Sequence, residues 1–194
     1  MSRKQLWLLV GGNGAGKSTF FELFLKPRKL AFVNADRIAR TLAPEGGEDV
    51  SYEAAVVAER MRQDLLEQGR SFCFETVYSH PSKIDFTAQA KALGYEVILV
   101  FIHLGEPSLN LARISQRVSE GGHEVPEKKV RDRLSRTVHN VVQAMPLADE
   151  VHLIDNSSWE QPFRRVAVVR HGEVELLTEP TPTWAVDLLE QTPN

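Results

Sequence analysis

The sequence predicts an α/β fold, a mostly parallel sheet between two layers of helices, on three observations. Short apolar runs alternate with longer stretches of helical period from the N-terminus to about residue 155. The most apolar run, Glu96–His103 (EVILVFIH), shows no polar alternation, as expected of a strand covered on both faces. Glycine or proline stops the helical stretches, as at Pro27, Gly69 and Gly94. Such alternation builds βαβ units, and in open sheets of this class ligands bind beyond the carboxyl ends of the strands.

Taken in order, Gln5–Val10 reads as a buried strand, Gly11–Gly16 as a loop and Lys17–Leu25 as a helix stopped by Pro27. Leu30–Asn34 is the second strand, Asp36–Leu42 a short helix, and Pro44–Glu48 a loop carrying Gly46 and Gly47. Ser51–Gln68 is a long amphipathic helix, Ser71–Thr76 the third strand and Ser82–Leu93 a helix closed by Gly94. After strand Glu96–His103 come helix Pro107–Val118, the loop Ser119–Val125 with Gly121 and Gly122, and helix Pro126–Ala144. Glu150–Ile154 is the fifth strand. Arg164–Arg170 and Glu173–Leu177 form a hairpin turned at His171–Gly172, and the proline-rich tail carries a helical turn or two near Trp184–Leu189. Residues 1–194 are read as one domain, with a lid at about 113–140 and a C-terminal hairpin and tail at 164–194.

The composition suits one globular domain: 194 residues, 42% hydrophobic, 25% charged. A net charge of −3 argues against a broadly basic surface, so no nucleic-acid partner is expected. The longest apolar stretch, Val97–Ile102, is far too short to span a membrane, and the N-terminal run is too short for a signal segment. The single cysteine, Cys73, reads as a small buried hydrophobe; with no internal disulfide available, the expected compartment is the reducing cytoplasm. No Cys/His cluster has zinc spacing.

Gly11-Gly12-Asn13-Gly14-Ala15-Gly16-Lys17-Ser18 fits G-x-x-x-x-G-K-[ST], with a strand before it and a helix after. This P-loop predicts a P-loop NTPase three-layer sandwich with a helical lid. Its backbone N–H groups and the helix N-terminus converge on phosphate, so residues 12–19, ending at Thr19, are expected to hold a nucleoside triphosphate. Lys17 reaches the β- and γ-phosphates, and the Ser18 hydroxyl is a ligand for Mg²⁺. There is no N-K-x-D guanine signature and no L-S-G-G-Q-like stretch, and the apolar strand ends in His103 rather than D-E. Small size and an arginine-rich lid point to a kinase of a small hydroxyl compound; the alternative is an NTPase switch or binding module acting on a protein partner.

Asp36 and Glu75 lie at the ends of neighbouring strands and open toward the P-loop crevice. Asp36 is the candidate base for an acceptor hydroxyl; its other role is as N-cap of the following helix. Glu75 either binds substrate or reaches the metal through water, with Thr76 in support, or it simply pairs with a nearby cation. Asn34 is a further substrate-side candidate. Arg113 and Arg117 share one helix face, as do Arg133, Arg136 and Asn140 at i, i+3 and i+7. Arginines on two helices joined by a glycine-containing loop suit a lid that balances phosphate charge. His103 reads as a hydrogen-bonded structural residue.

The order G-G-N-G-A-G-K-S-T, N-A-D-R-I-A (34–39), F-E-T (74–76), G-Y-E-V (94–97), R-V-x-x-G-G-H-x-V-P (117–126) and R-L-x-R-x-x-x-N (133–140) resembles the zeta-toxin-like kinases. The likeness is to their stand-alone bacterial branch, often labelled a predicted ABC-type ATPase, and covers roughly residues 5–155. It implies ATP and Mg²⁺ as cofactors and phosphorylation of the 3′-hydroxyl of the amino sugar in UDP-N-acetylglucosamine or a related sugar nucleotide. It makes Lys17 the Walker lysine, Ser18 the metal ligand, Asp36 the catalytic base, Glu75 and Thr76 the substrate-binding pair, and Arg117 the first lid arginine. Where the family places a second lid arginine this chain has His123 and Glu124, which leaves Arg133 or Arg136 to substitute. The resemblance also implies an antitoxin partner, a separate small helical protein, since no room for one is left ahead of the P-loop.

Overall fold

The computed structural model describes residues 3–43, 48–119 and 126–192. Its strands are β1 (Gln5–Val10), β2 (Ala31–Val33), β3 (Phe72–Thr76), β4 (Glu96–His103), β5 (Glu150–Asp155), β6 (Arg164–Arg170) and β7 (Glu173–Leu176). They form one sheet in the order β2-β3-β1-β4-β5-β6-β7. The first five in that order pair in parallel, as the continuous apolar runs require. The C-terminal hairpin does not stand apart: β6 pairs antiparallel with β5 and β7 with β6, extending the sheet to its far edge.

The helices are α1 (Lys17–Phe20), α2 (Ala35–Leu42), α3 (Glu48–Glu67), α4 (Ser82–Ala92), α5 (Pro107–Ser119), α6 (Glu127–Ala144) and α7 (Thr183–Glu190). A π-helical turn (Phe21–Leu25) and a 3-10 turn (Lys26–Arg28) continue α1. Among the differences from the sequence expectation are two helix starts. Helix α3 reaches back to Glu48, so of the expected loop Pro44–Glu48 only residues 44–47 remain, and these lie outside the described residues. Helix α2 begins at Ala35 because Asn34 is its N-cap: Asn34 Oδ1 accepts the Arg37 N–H at 2.9 Å. The cap role weighed for Asp36 therefore belongs to Asn34. Of the lid loop, residues 120–125, including Gly121, Gly122, His123 and Glu124, lie outside the described residues.

Successive strand residues enter opposite cores, which makes the three layers. Leu6, Leu8 and Val10 of β1 pack with Ala58 and Leu66 of α3, Phe86 of α4, Val141 of α6 and Leu188 of α7. Trp7 and Leu9 face the other way, with Phe21 and Leu25 behind the P-loop and Ile98, Val100 and Ile102 of β4. Cys73 is buried in that second core with a free thiol. Among the described residues no helix is long and apolar enough to cross a membrane.

Candidate functional site

The P-loop leaves the carboxyl end of β1 between its neighbours β3 and β4. A Cβ on Gly11 would lie 2.4 Å from the carbonyl oxygen of Ile102, so only glycine lets the loop start this close to β4. Gly16 caps α1 at φ 94°, a left-handed conformation that glycine adopts without cost, and no side chain caps the helix. Gly16 has no side chain to occupy the N–H groups of that first turn, the kind of donors that bind phosphate. Lys17 is almost fully buried and donates from Nζ to the Gly12 carbonyl at 3.0 Å.

Two asparagines fix the loop from outside. Asn110 Nδ2 donates to the Asn13 carbonyl at 2.7 Å, and Asn156 Nδ2 donates to the Ala15 carbonyl at 2.9 Å. Asn156 Oδ1 in turn accepts the Phe163 N–H at 3.1 Å, tying the loop to the segment after β5. Asn110 was not singled out from the sequence. Asn156 carried a readable signal, since it follows a strand at the ligand-binding end of the sheet.

Glu75, at the end of β3, joins the pieces. Its Oε2 accepts from Ser18 Oγ at 2.8 Å and from Asn34 Nδ2 at 2.6 Å, and its Oε1 lies 3.9 Å from Lys17 Nζ. Asn34 therefore spends both ends of its side chain inside the protein, one on the α2 cap and one on Glu75. Thr76 Oγ1 accepts the N–H of Tyr78 at 3.0 Å and shapes the turn after β3.

These groups line a cleft of about 530 Å³. Asn13, Gly14, Gly16, Lys17, Ser18 and Thr19 form its loop side. Asn34, Asp36, Glu75 and Thr76 continue the wall along the strand ends. Gly12 and Ala15 do not line it; Gly12 meets the cleft through the Lys17 bond. Asp36 sits in the first turn of α2 and is exposed, and among the described residues no hydrogen bond or ion pair ties down its carboxylate.

The lid arginines separate. Arg133 lines the cleft. Arg136 does not; it is exposed and donates from Nε to the carbonyl of Asp132 in its own helix at 3.1 Å. The α6 face that turns inward runs through Arg133, Thr137 and Asn140 instead: Thr137 Oγ1 donates to the Val77 carbonyl at 2.7 Å and Asn140 Nδ2 to the Tyr78 carbonyl at 2.8 Å. Asn140 is thus an anchor rather than a cleft group. Arg117 lies on α5, and its side chain falls outside the described residues. Arg113, one turn earlier, lines the cleft; its Nη2 donates to the Asn156 carbonyl at 2.8 Å and its guanidinium lies 4.9 Å from the Trp159 ring centroid. Burial holds its pKa below the ordinary arginine value.

Three further cations line the cleft that sequence reasoning missed: Arg40, Arg62 and Lys83. Arg62 had a readable signal. It follows Ala54 and Ala58 at spacing i+4 and precedes Leu65 by three, all buried, so a charge stands in the apolar stripe of α3. His103 does not line the cleft: it is buried against Phe101 and Trp184, and its Nδ1 lacks the hydrogen bond expected for it.

The fold is that of P-loop kinases, and comparison with known proteins agrees with it. An uncharacterized protein of Haemophilus influenzae (strain ATCC 51907 / DSM 11121 / KW20 / Rd) is 31% identical over 140 residues, covering 69% of this chain and 99% of its own. The crystal structure of AvrRxo1-ORF1:AvrRxo1-ORF2 with ATP superposes with a TM-score of 0.73 at 19% identity, covering 99% of this chain. This chain spans 65% of that one. A structure from the PezAT chromosomal toxin-antitoxin system of Streptococcus pneumoniae gives a TM-score of 0.66 at 14% identity, covering 98% of this chain and 86% of that one. With a match over residues 6–138, the chain belongs to the AAA domain family AAA_33.

Proposed function

We propose that the protein is an ATP-dependent small-molecule kinase that transfers the γ-phosphoryl group to a hydroxyl, with UDP-N-acetylglucosamine or a related sugar nucleotide as acceptor, as in the zeta toxins. The observation that carries this reading is the position of Asp36. It is a carboxylate untied by any helix cap, in the same cleft as the P-loop lysine and Glu75. A nucleotide switch needs no such untied carboxylate beside its phosphate loop. The neighbour solved with ATP supports that nucleotide as donor, and the toxin–antitoxin neighbour supports the resemblance and an antitoxin as partner.

In this reading the loop amides and Lys17 hold the β- and γ-phosphates. The Ser18 hydroxyl and the Glu75 carboxylate, already in contact, are a fitting oxygen pair that would hold Mg²⁺. When bound, that ion neutralises phosphate oxygens and screens the developing charge. Asn34 keeps Glu75 turned toward Ser18. On the acceptor side Asp36 takes the proton of the hydroxyl as its oxygen bonds to the γ-phosphorus; the bond from that phosphorus to the β–γ bridging oxygen breaks, and ADP leaves. Arg133, with Arg117 from the facing lid helix, offsets charge on the transferred group.

The test is label transfer from ATP to a panel of UDP-N-acetylglucosamine, other sugar nucleotides, nucleosides and aminoglycosides. Transfer to at least one is expected, and Asp36→Asn should lower kcat by about 10²–10⁴-fold with ATP affinity kept within about twofold. ATP hydrolysis without any acceptor, stimulated by a protein partner, would replace the kinase by the switch.

A further inference from the structure

Asp36 shares its cleft with two cations that make no ion pair with any described residue. Arg62 of α3 is 6% exposed, and its Nε is buried with no hydrogen-bond partner. Its guanidinium lies over two ring faces, 4.2 Å from the centroid of Phe74 and 5.2 Å from that of Phe86. Lys83, in the first turn of α4, is half-buried with Nζ 5.9 Å from the Phe74 centroid. Among the described residues neither cation makes an ion pair or a side-chain hydrogen bond. Burial draws both pKa values down; the charge of Arg62 lowers that of Lys83 further, and Glu59 opposes the shift at each. Glu59 lines the same cleft and makes no ion pair with either.

Buried cations are ordinarily paired; here two that repel each other share one cleft, and the acid whose charge reaches both, Glu59, pairs with neither, a charge excess that an anionic ligand would compensate. Phe74 and Phe86 hold the Arg62 guanidinium in place, and the paired terminal N–H donors of such a group suit recognition of two oxygens. The ring contacts explain where the guanidinium rests; they leave its N–H donors unused.

We infer that the phosphoryl acceptor carries an anionic group, a carboxylate or a phosphate, that docks between Arg62 and Lys83 while its hydroxyl reaches Asp36. This rests on the kinase reading and assigns the acceptor's anion, which in a sugar nucleotide is its diphosphate, to Arg62 and Lys83. Uncharged sugars and nucleosides fit the carboxylate and leave the cations unpaired.

Glucuronate, glucose 6-phosphate, N-acetylglucosamine 1-phosphate and UDP-N-acetylglucosamine, each beside its neutral parent sugar, provide the test. Two readouts are taken: transfer of label from ATP, and calorimetric binding to the protein saturated with a non-hydrolysable ATP analogue. At least one anion should exceed its neutral parent by roughly tenfold or more in kcat/KM and in affinity, the size expected of hydrogen bonds to a charged group. The carboxylate and phosphate arms tell which anion fits. Arg62→Gln removes a buried side chain and can fail to fold, so Lys83→Met is the parallel variant; losing one of two repelling cations does not threaten the fold. It should raise KM for the preferred anion by roughly tenfold while kcat falls far less. Anion-selective binding without transfer overturns the kinase reading and leaves this inference standing. Transfer that treats neutral and charged acceptors alike, a preference that survives Lys83→Met, or no binding by any anion overturns the inference.

Discussion

Asn34 shows how one side chain can couple local folding to chemistry. Its oxygen ends the exposed backbone of α2 and its amide holds Glu75 at 2.6 Å. Removing it should therefore act twice. Asn34→Ala loses an N-cap, about 1 kcal/mol of stability, visible as a lower denaturation midpoint. It also frees Glu75 to turn from Ser18, and supporting bonds of this kind govern metal affinity by roughly tenfold or more. The Mg²⁺ concentration for half-maximal turnover should rise on that scale. Asn34→Asp keeps the cap acceptor but sets a second carboxylate against Glu75, so it should recover stability without recovering the metal dependence. If Asn34→Ala leaves the Mg²⁺ titration unmoved, Glu75 is not a metal-side group. Sequence reading placed Asn34 in the crevice but weighed the cap only for Asp36, because the cap moves with the helix start and no pattern in N-A-D-R fixes that start.

At the scale of elements, α6 decides which lid arginine matters. Thr137 and Asn140 pin one face of the helix to the carbonyls of Val77 and Tyr78, and that face, not the one through Arg136, looks into the cleft. The consequence is asymmetric. Arg133→Ala should lower kcat/KM for ATP by roughly tenfold or more, as loss of a charge-assisted contact does, and Arg136→Ala should change it by less than about twofold. Equal losses would mean the helix rotates when nucleotide binds. The sequence reading took the i+3 step, through Arg136; the i+4 step, through Thr137, joins Arg133 and Asn140 equally well. Only the contacts with the turn after β3 choose between them, and those are long-range. The strands and the P-loop were legible for the opposite reason: an unbroken apolar run and a glycine-lysine-serine spacing are dictated locally by burial and by backbone approach to phosphate. Arg62 lies between these cases, written in the α3 stripe as a charge among buried positions and easily read as one more solvated residue.

Across the whole molecule, the chain after β5 closes the side of the sheet opposite the acceptor region. The β6–β7 hairpin extends the sheet, and α7 docks Ala185 and Leu188 into the core. Trp184 Nε1 donates to Asp155 Oδ2 at 3.1 Å, and its indole lies 4.8 Å, centroid to centroid, from the His103 ring. His103 and Asp155 are register partners at the ends of β4 and β5. Asp155 favours protonation of the imidazole, but burial outweighs it and pushes the His103 pKa down to about 4. Asp155 is itself engaged by the Ser157 N–H at 2.7 Å and by the indole, which limits how much of its charge His103 feels. A histidine in the unfolded chain titrates near 6.5, so between about pH 6.5 and 4 the unfolded state binds a proton that the folded state does not. Stability from neutral His103 is therefore complete above that window and is lost as pH falls through it, at about 1.4 kcal/mol per pH unit at most. His103→Phe keeps an aromatic ring against Phe101 and Trp184 and cannot take up the proton. Denaturation midpoints measured from pH 7.5 to 4.5 should fall less steeply for this variant than for the parent, by up to one proton's worth of slope. Parallel curves would show that acid loosens the C-terminal closure through other groups, such as Asp149, whose carboxylate accepts from Lys91 and from the Val97 N–H.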